Sequence, residues 1–218
     1  MRELQFVETE LYHIFNRGVD KRNIFKSTKD LERFIEGMHN FNTTDKLGNI
    51  DRNHSESEKN KLVDFVAYCL NPNHYHFIVR QRQERGIERF MHKMGMGYAK
   101  YFNIRHKRSG SLFQGKFKAV HLETNEQLLH TSVYVNLNNR VHRYPLSTPF
   151  KSSWGEYLNK PNQENLCSKN IITEQFKNDL AYKKFAEESL LDIIRNKDLG
   201  RELENEPLLT PSVNGIRK

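Results

Sequence analysis

His74-Tyr75-His76 stands at the head of the apolar run Phe77-Ile78-Val79. In an extended strand successive side chains alternate faces, so His74 and His76 project together while Tyr75 points the other way. Two imidazoles side by side on a rigid element make half of a metal site, its far side left to water or a phosphate. The same spacing also suits two solvated strand histidines with no further role. The elements around them have to decide.

Charge supplies the first context. From Arg80 to Lys118 there are eleven Lys/Arg against only Glu84 and Glu88, whereas the whole 218-residue chain carries a net charge of +8. The difference lies largely in an acidic stretch from Thr173 to Glu206. Tyr98, Tyr101, Phe102, Phe113 and Phe117 interleave with the basic residues. Cations alternating with stacking-capable rings suit single-stranded nucleic acid, although the same rings also suit a core. An anionic partner is favoured either way. No apolar run is long enough to span a bilayer, and Met1-Arg2-Glu3-Leu4 does not begin a signal peptide. Cys69 and Cys167, far apart in sequence, read as reduced thiols of a cytosolic protein and not as a disulfide framework.

The elements follow from periodicity. Leu11 to Arg17 reads as a strand closed by a turn at Asn16-Arg17-Gly18. Thr28 is the expected N-cap of a helix carrying Leu31, Phe34, Ile35 and Met38 at helical spacing. Asp45 to Asn60 is polar and aperiodic, hence a loop. Leu62 to Leu70 is an apolar strand, turned back by Asn71-Pro72-Asn73 into an antiparallel partner from His74 to Arg80. Ile87 to Phe102 reads as a second helix, Arg108-Ser109-Gly110 as a loop, and Phe117 to Leu122 as a fourth strand.

This is an α+β protein in the ferredoxin-like order β-α-β-β-α-β, in which both helices cover one face of the sheet. Tyr75, Phe77 and Val79 then face those helices. His74, His76 and Arg80 face the open side, with Ile78 the one apolar residue among them. A third helix begins at the capping box Thr124-Asn125-Glu126-Gln127. Leu129, Val133 and Leu137 make its buried stripe, and His130, Tyr134 and Asn138 the neighbouring one. Laid on or beside the open face, that second stripe approaches His74 and His76. Leu180, Lys184, Glu187 and Leu191 recur at helical spacing in the tail, whose end from Glu206-Pro207 to Lys218 reads as frayed.

With these elements in order the chain resembles the single-tyrosine HUH transposases, and among them the REP-associated tyrosine transposases of bacteria. The resemblance runs from about Tyr12 to Trp154. It rests on Tyr12-His13-Ile14-Phe15-Asn16-Arg17-Gly18, Asn71-Pro72-Asn73-His74-Tyr75-His76 and Tyr98-Ala99-Lys100-Tyr101-Phe102-Asn103, then on Gly110 to Lys118 (GSLFQGKFK) and Tyr134-Val135-Asn136-Leu137-Asn138. It implies a catalytic domain over residues 1–158; the tail lies outside the resemblance and is read from its spacing as a helical C-terminal extension over 159–218, with no role assigned. By position it makes His74 and His76 metal ligands, Tyr134 the nucleophile and Asn138 the residue completing the metal site. Asn139 stands where relatives carry proline, so the helix end is expected to differ.

What the resemblance implies is a metal-dependent transesterase. It would cleave and rejoin single-stranded DNA near hairpins or palindromic repeats through a 5′-phosphotyrosine, in the bacterial cytoplasm, nucleoid-associated, as monomer or homodimer. A divalent cation polarises the phosphate, an effect worth several kcal/mol. A phenol of reference pKa near 10 is ionised only about once in a thousand at pH 7, so the metal or a base must offset about 4 kcal/mol. By spacing His130 is a candidate base, or else a plain surface histidine. Two imidazoles and an amide are softer than the oxygen set magnesium prefers, so activity is expected with Mg2+ or Mn2+, manganese at least as good. Histidine protonation predicts loss of metal-dependent activity as pH falls through about 6. Arg17, Arg105, Lys107, Arg108, Lys116 and Lys118 are the candidate phosphate contacts, and Gln114 is a candidate for a base edge or backbone oxygen. The alternative is a non-catalytic nucleic-acid-binding module that keeps the fold and basic surface; a metal-dependent hydrolase comes third.

Overall fold

A computed structural model describes residues 4–45, 58–145 and 147–195. Most of the loop expected over Asp45 to Asn60, and the frayed end expected from Glu206, lie outside these residues.

The expected elements form in the expected order. They are β1 (Leu11–Arg17), α1 (Thr28–Asn40), β2 (Val63–Asn71), β3 (His74–Gln81), α2 (Gly86–Arg105) and β4 (Lys118–His121). After them come α3 (Asn125–Asn136), α4 (Asn138–Val141), the short strand β5 (Lys151–Ser152), α5 (Trp154–Tyr157), α6 (Asn170–Thr173) and α7 (Asp179–Arg195). Among the described residues the strands form one sheet in the order β4-β1-β3-β2-β5. All its pairings are antiparallel. The ferredoxin-like frame is intact, with β5 added at its β2 edge.

Two local details differ from expectation. Ser27, not Thr28, caps α1: it holds an extended backbone and its Oγ accepts from the Asp30 amide, which leaves Thr28 as the first helical residue. β2 is not a simple alternating strand. Its register against β3 shifts between Phe65 and Ala67, and the extra residue of this bulge turns both Val66 and Ala67 to one face, with Phe65 and Tyr68 on the other.

One face of the sheet carries Tyr12, Ile14, Tyr75, Phe77 and Val79, packed with Phe34, Ile35 and Met38 of α1 and Phe90, Met94 and Tyr98 of α2. The other face is not open. Ile78, Val66, Ala67 and Cys69 lie under α3 in a second apolar cluster with Trp154, Tyr157, Ile172, Tyr182, Ala186 and Leu190. This cluster contains residues on both sides of position 158. Hydrogen bonds pin its layers together: the Tyr182 hydroxyl meets Ser132 Oγ at 3.0 Å, Asn136 Nδ2 donates to that hydroxyl at 3.0 Å, and Ser153 Oγ donates to Asn136 Oδ1 at 2.6 Å. α7 therefore buttresses α3, the helix that carries Tyr134. Among the described residues no helix is long and apolar enough to cross a membrane.

Candidate active site

The hairpin between β2 and β3 sets the site. Asn71 pairs with His74 across a turn made by Pro72 and Asn73, so residues 71, 73, 74 and 76 are held at one end of the sheet. Pleating sends His74 and His76 to the face that α3 and α4 cover. Neither is a solvated strand histidine: His74 is 8% exposed and His76 1%.

Hydrogen bonds fix the tautomer of His74. Asn73 Nδ2 donates to the Lys21 carbonyl at 3.2 Å, which leaves Asn73 Oδ1 to accept from His74 Nδ1 at 2.6 Å and from the Tyr144 hydroxyl at 3.0 Å. With the proton on Nδ1, a neutral His74 turns its unprotonated Nε2 toward Asn138 Oδ1, 2.9 Å away, and accepts there from Asn71 Nδ2 at 3.0 Å. Two lone pairs at that separation repel unless something positive lies beside them. His76 is held similarly through Nδ1, which lies 2.9 Å from Nε2 of His13 on β1. His76 Nε2 and His13 Nδ1 are buried with no hydrogen-bond partner. Burial, with His74, His13 and His142 adding to it, holds the His76 pKa well below the usual histidine value, and burial lowers that of His13 to about 3. Both rings stay neutral, the state that binds metal, to lower pH than the sequence-based limit near 6.

α3 brings Tyr134 to these rings. The capping box expected at Thr124 forms with Gln127, and the Tyr134 ring packs edge-on against His76 at 5.4 Å and His13 at 6.1 Å. The helix ends two residues later. Leu137 leaves helical geometry (φ −112°, ψ 18°), and α4 starts at Asn138. That break, at the point where Asn139 departs from the family pattern, presents Asn138 Oδ1 to His74. His130 is elsewhere: it is exposed, and its ring lies 5.9 Å from Phe185 of α7.

A cavity of about 400 Å³ opens beside the histidines. Phe15, Asn16, Arg17, Lys21, Asn73, His74, His76, Gln114, Lys118, His142 and Tyr144 line it. Of the expected nucleic-acid contacts, Arg17, Gln114 and Lys118 are here, and Arg17 Nε donates to Gln114 Oε1. Gly115, at a positive φ of 74°, makes the turn that carries Gln114 and Lys116 back to the end of β1, where the Gln114 amide donates to the Arg17 carbonyl at 2.8 Å. Lys116 is exposed but outside the lining. Arg105, Lys107 and Arg108 sit at the far end of α2. Arg105 pairs with buried Asp30 at 3.4 Å, and Arg108 holds Asn103 and the Ser111 carbonyl, so both serve the fold. Tyr134 is 2% exposed and also outside the lining.

Among the described residues no three His, Cys, Asp or Glu side chains converge as a metal-binding group. A cation at this site would therefore depend on carboxamides as well as imidazoles. The donor set fits one: His74 Nε2 beside Asn138 Oδ1, and a buried Nε2 on His76 with no hydrogen-bond partner.

Residues 7–138, well over half the chain, match the sequence pattern of the IS200-like transposases. The chain belongs to the IS200-like transposase family. Among solved structures it is similar to a REP-associated tyrosine transposase bound to a REP hairpin, at 13% identity and a TM-score of 0.50, over 73% of this chain and 85% of that one. At that identity the likeness is one of fold. No curated relative matches the chain.

Several residues of this candidate site escaped the sequence reading: His13, Phe15, Asn71, Asn73, His142 and Tyr144. His13 had a usable signal, since strand alternation from Tyr12 and Ile14 sends it to the face of His74 and His76. Asn71 and Asn73 looked like turn residues, which they also are. His142 and Tyr144 follow α4, and nothing in their spacing points to the strand end.

Proposed function

We propose that the chain is a metal-dependent transesterase that cleaves and rejoins single-stranded DNA near hairpins through a 5′-phosphotyrosine on Tyr134. The observation that carries this reading is the meeting of Tyr134, His76, His74 and Asn138, from one sheet strand and two helices, beside a basic cavity. Arg17, Lys21 and Lys118 on the cavity wall give a phosphodiester its counter-charge, and Phe15 and Tyr144 offer rings to the bases beside it.

His74, His76 and Asn138 would hold the divalent cation, magnesium or manganese. Bound there it would polarise the scissile phosphate and stabilise the charge developing on its oxygens. Tyr134 supplies the nucleophile. Its oxygen forms a bond to phosphorus while the bond from phosphorus to the 3′-oxygen breaks; the phenolic proton is lost and the departing oxygen takes one up. The chain is left esterified to the 5′-phosphate, and attack by a 3′-hydroxyl reverses the step. Because Tyr134 is covered, its ring has to turn toward the cavity when the strand binds.

The test is covalent capture. Hairpin oligonucleotides are incubated with the protein and Mn2+ or Mg2+, then resolved on a denaturing gel. The expected result is a protein–DNA adduct that disappears with chelator and in Tyr134→Phe. Cleavage that survives Tyr134→Phe would indicate a hydrolase. Salt-dependent binding without adduct across the oligonucleotide pool would leave a non-catalytic binding module.

A further inference from the structure

Asn71 lies where the proposed ligands meet. It ends β2, is 0% exposed, and its Nδ2 sits 2.6 Å from Asn138 Oδ1 and 3.0 Å from His74 Nε2. Those two acceptors are themselves 2.9 Å apart. The carboxamide tip of Asn71 thus completes a triangle with sides of 2.6, 2.9 and 3.0 Å. Donors on one face of an octahedron with metal–ligand bonds near 2.1 Å are about 3.0 Å apart. Tetrahedral zinc ligands would stand about 3.4 Å apart.

We propose that Asn71 is part of the divalent-cation site, its carboxamide rotating by half a turn to present Oδ1 alongside His74 Nε2 and Asn138 Oδ1. The inference rests on the metal-dependent reading above and adds a ligand to it. In the orientation seen here the amide NH2 satisfies two acceptors that would otherwise repel, so it plays the part a cation would play. A bound cation removes the need for that donor, and Oδ1 becomes the useful end of the group. Rotation sacrifices little on the other side, where, among the described residues, the hydrogen bond to Asn71 Oδ1 is a weak one from Cys69 Sγ at 3.7 Å, and sulfur accepts from an N–H as well as donating. A second amide oxygen also hardens the donor set toward magnesium, which two imidazoles and one amide serve less well than manganese.

The experiment is Mn2+ titration of the full chain without DNA, followed by loss of the free-ion electron paramagnetic resonance signal, with thermal melting in chelator to confirm folding. Asn71→Leu is expected to weaken Mn2+ binding by about tenfold or more. Asn71→Asp, a carboxylate in place of the amide, is expected to tighten it by about tenfold. Wild-type affinity or better in a folded Asn71→Leu would overturn the inference and make Asn71 a spacer between the ligands. Should Asn71→Leu not fold, unchanged or weaker binding by Asn71→Asp overturns it instead. If wild type binds no Mn2+, or binds it equally well after His74→Ala, the metal-dependent reading fails and this inference with it. A failure confined to Asn71 leaves that reading standing.

Discussion

The two faces of β1 and β3 are built from alternate residues of the same strands, yet they treat buried polar atoms in opposite ways. On the α1/α2 face Asn42, Tyr98 and Asp30 have their partners. Asn42 takes the Leu62 and Val63 amides and donates to the Val63 carbonyl. The Tyr98 hydroxyl donates to the Ile24 carbonyl. Asp30, 0% exposed, accepts from the Lys26 amide, Tyr101 and His106 and pairs with Arg105. On the α3/α4 face His13 Nδ1, His76 Nε2 and Asn138 Nδ2 are buried without partners. A buried polar group left unpaired costs about 1–3 kcal/mol. The first face is arranged for stability, and the second carries a cost that the proposed binding of a cation and a phosphate would offset.

Mutations on the two faces should therefore separate stability from chemistry. The largest expected effect is on the second face: Tyr134→Phe lowers adduct formation by about 10⁴-fold or more while the melting temperature changes little. Equal loss of folding and activity would collapse the distinction. On the first face, Phe77→Ala is expected to cost about 3–5 kcal/mol by urea denaturation, with Mn2+ binding retained by the folded fraction.

Asp30→Ala is expected to cost about 3 kcal/mol, because it strips the partner from Arg105, His106 and the Lys26 amide. Burial raises the Asp30 pKa, but the Lys26 amide, His106 and Ser27 outweigh it and hold the carboxyl below its usual value. The unfolded chain then takes up the proton first as pH falls. The stabilisation is present above the unfolded value near 4 and lost below it, so the variant should show a shallower loss of stability below pH 4.

His13→Phe sharpens the comparison at one residue. It removes the group that meets His76 Nδ1 and is expected to weaken Mn2+ binding by about 10–100-fold, with neutral-pH stability within about 1 kcal/mol of wild type. Because burial holds the His13 pKa at about 3, the unfolded state binds its proton from about pH 6.5 downward and the folded state does not. Wild type therefore loses stability between those values, and the variant should lose less. The smallest effect is expected at the cavity wall. Lys118→Ala should lower the salt slope of single-strand binding by about 0.7, from a wild-type value of about −3 to −5. A slope unchanged by Lys118→Ala and Arg17→Ala together would move the DNA path off this wall.

Much of this division was legible in the residues. Period-2 alternation from His74 to Arg80 sorted that strand's faces correctly, because pleating is a local property of extended backbone. The capping box at Thr124 placed the start of α3 for the same reason, and motif order alone pointed to the family. The breaks in regularity were not legible. The bulge at Val66 and the kink at Leu137 shift the facing of residues by tertiary packing against β3, α5 and α7. Arg105 and Arg108 illustrate the limit for charge: a basic run predicts positive potential, but which cations are already committed to Asp30 or to a loop carbonyl depends on where α1 and the 103–111 turn lie.

The sequence by itself determined the β-α-β-β-α-β order, the side of the sheet on which His74 and His76 fall, and the helix bearing Tyr134, because each follows from backbone periodicity and capping within a few residues. Only the tertiary structure decided that this second face is roofed by α3 to α7 and that Asn71, Asn73 and His13 set the orientation of the histidines. The covering of Tyr134 was decided there too. Even the neighbour contact of Asn73 with His74 is oriented by the distant Lys21 carbonyl and Tyr144 hydroxyl, and contacts such as His13 with His76 and Asn71 with Asn138 join segments some 60 residues or more apart, which no local pattern encodes.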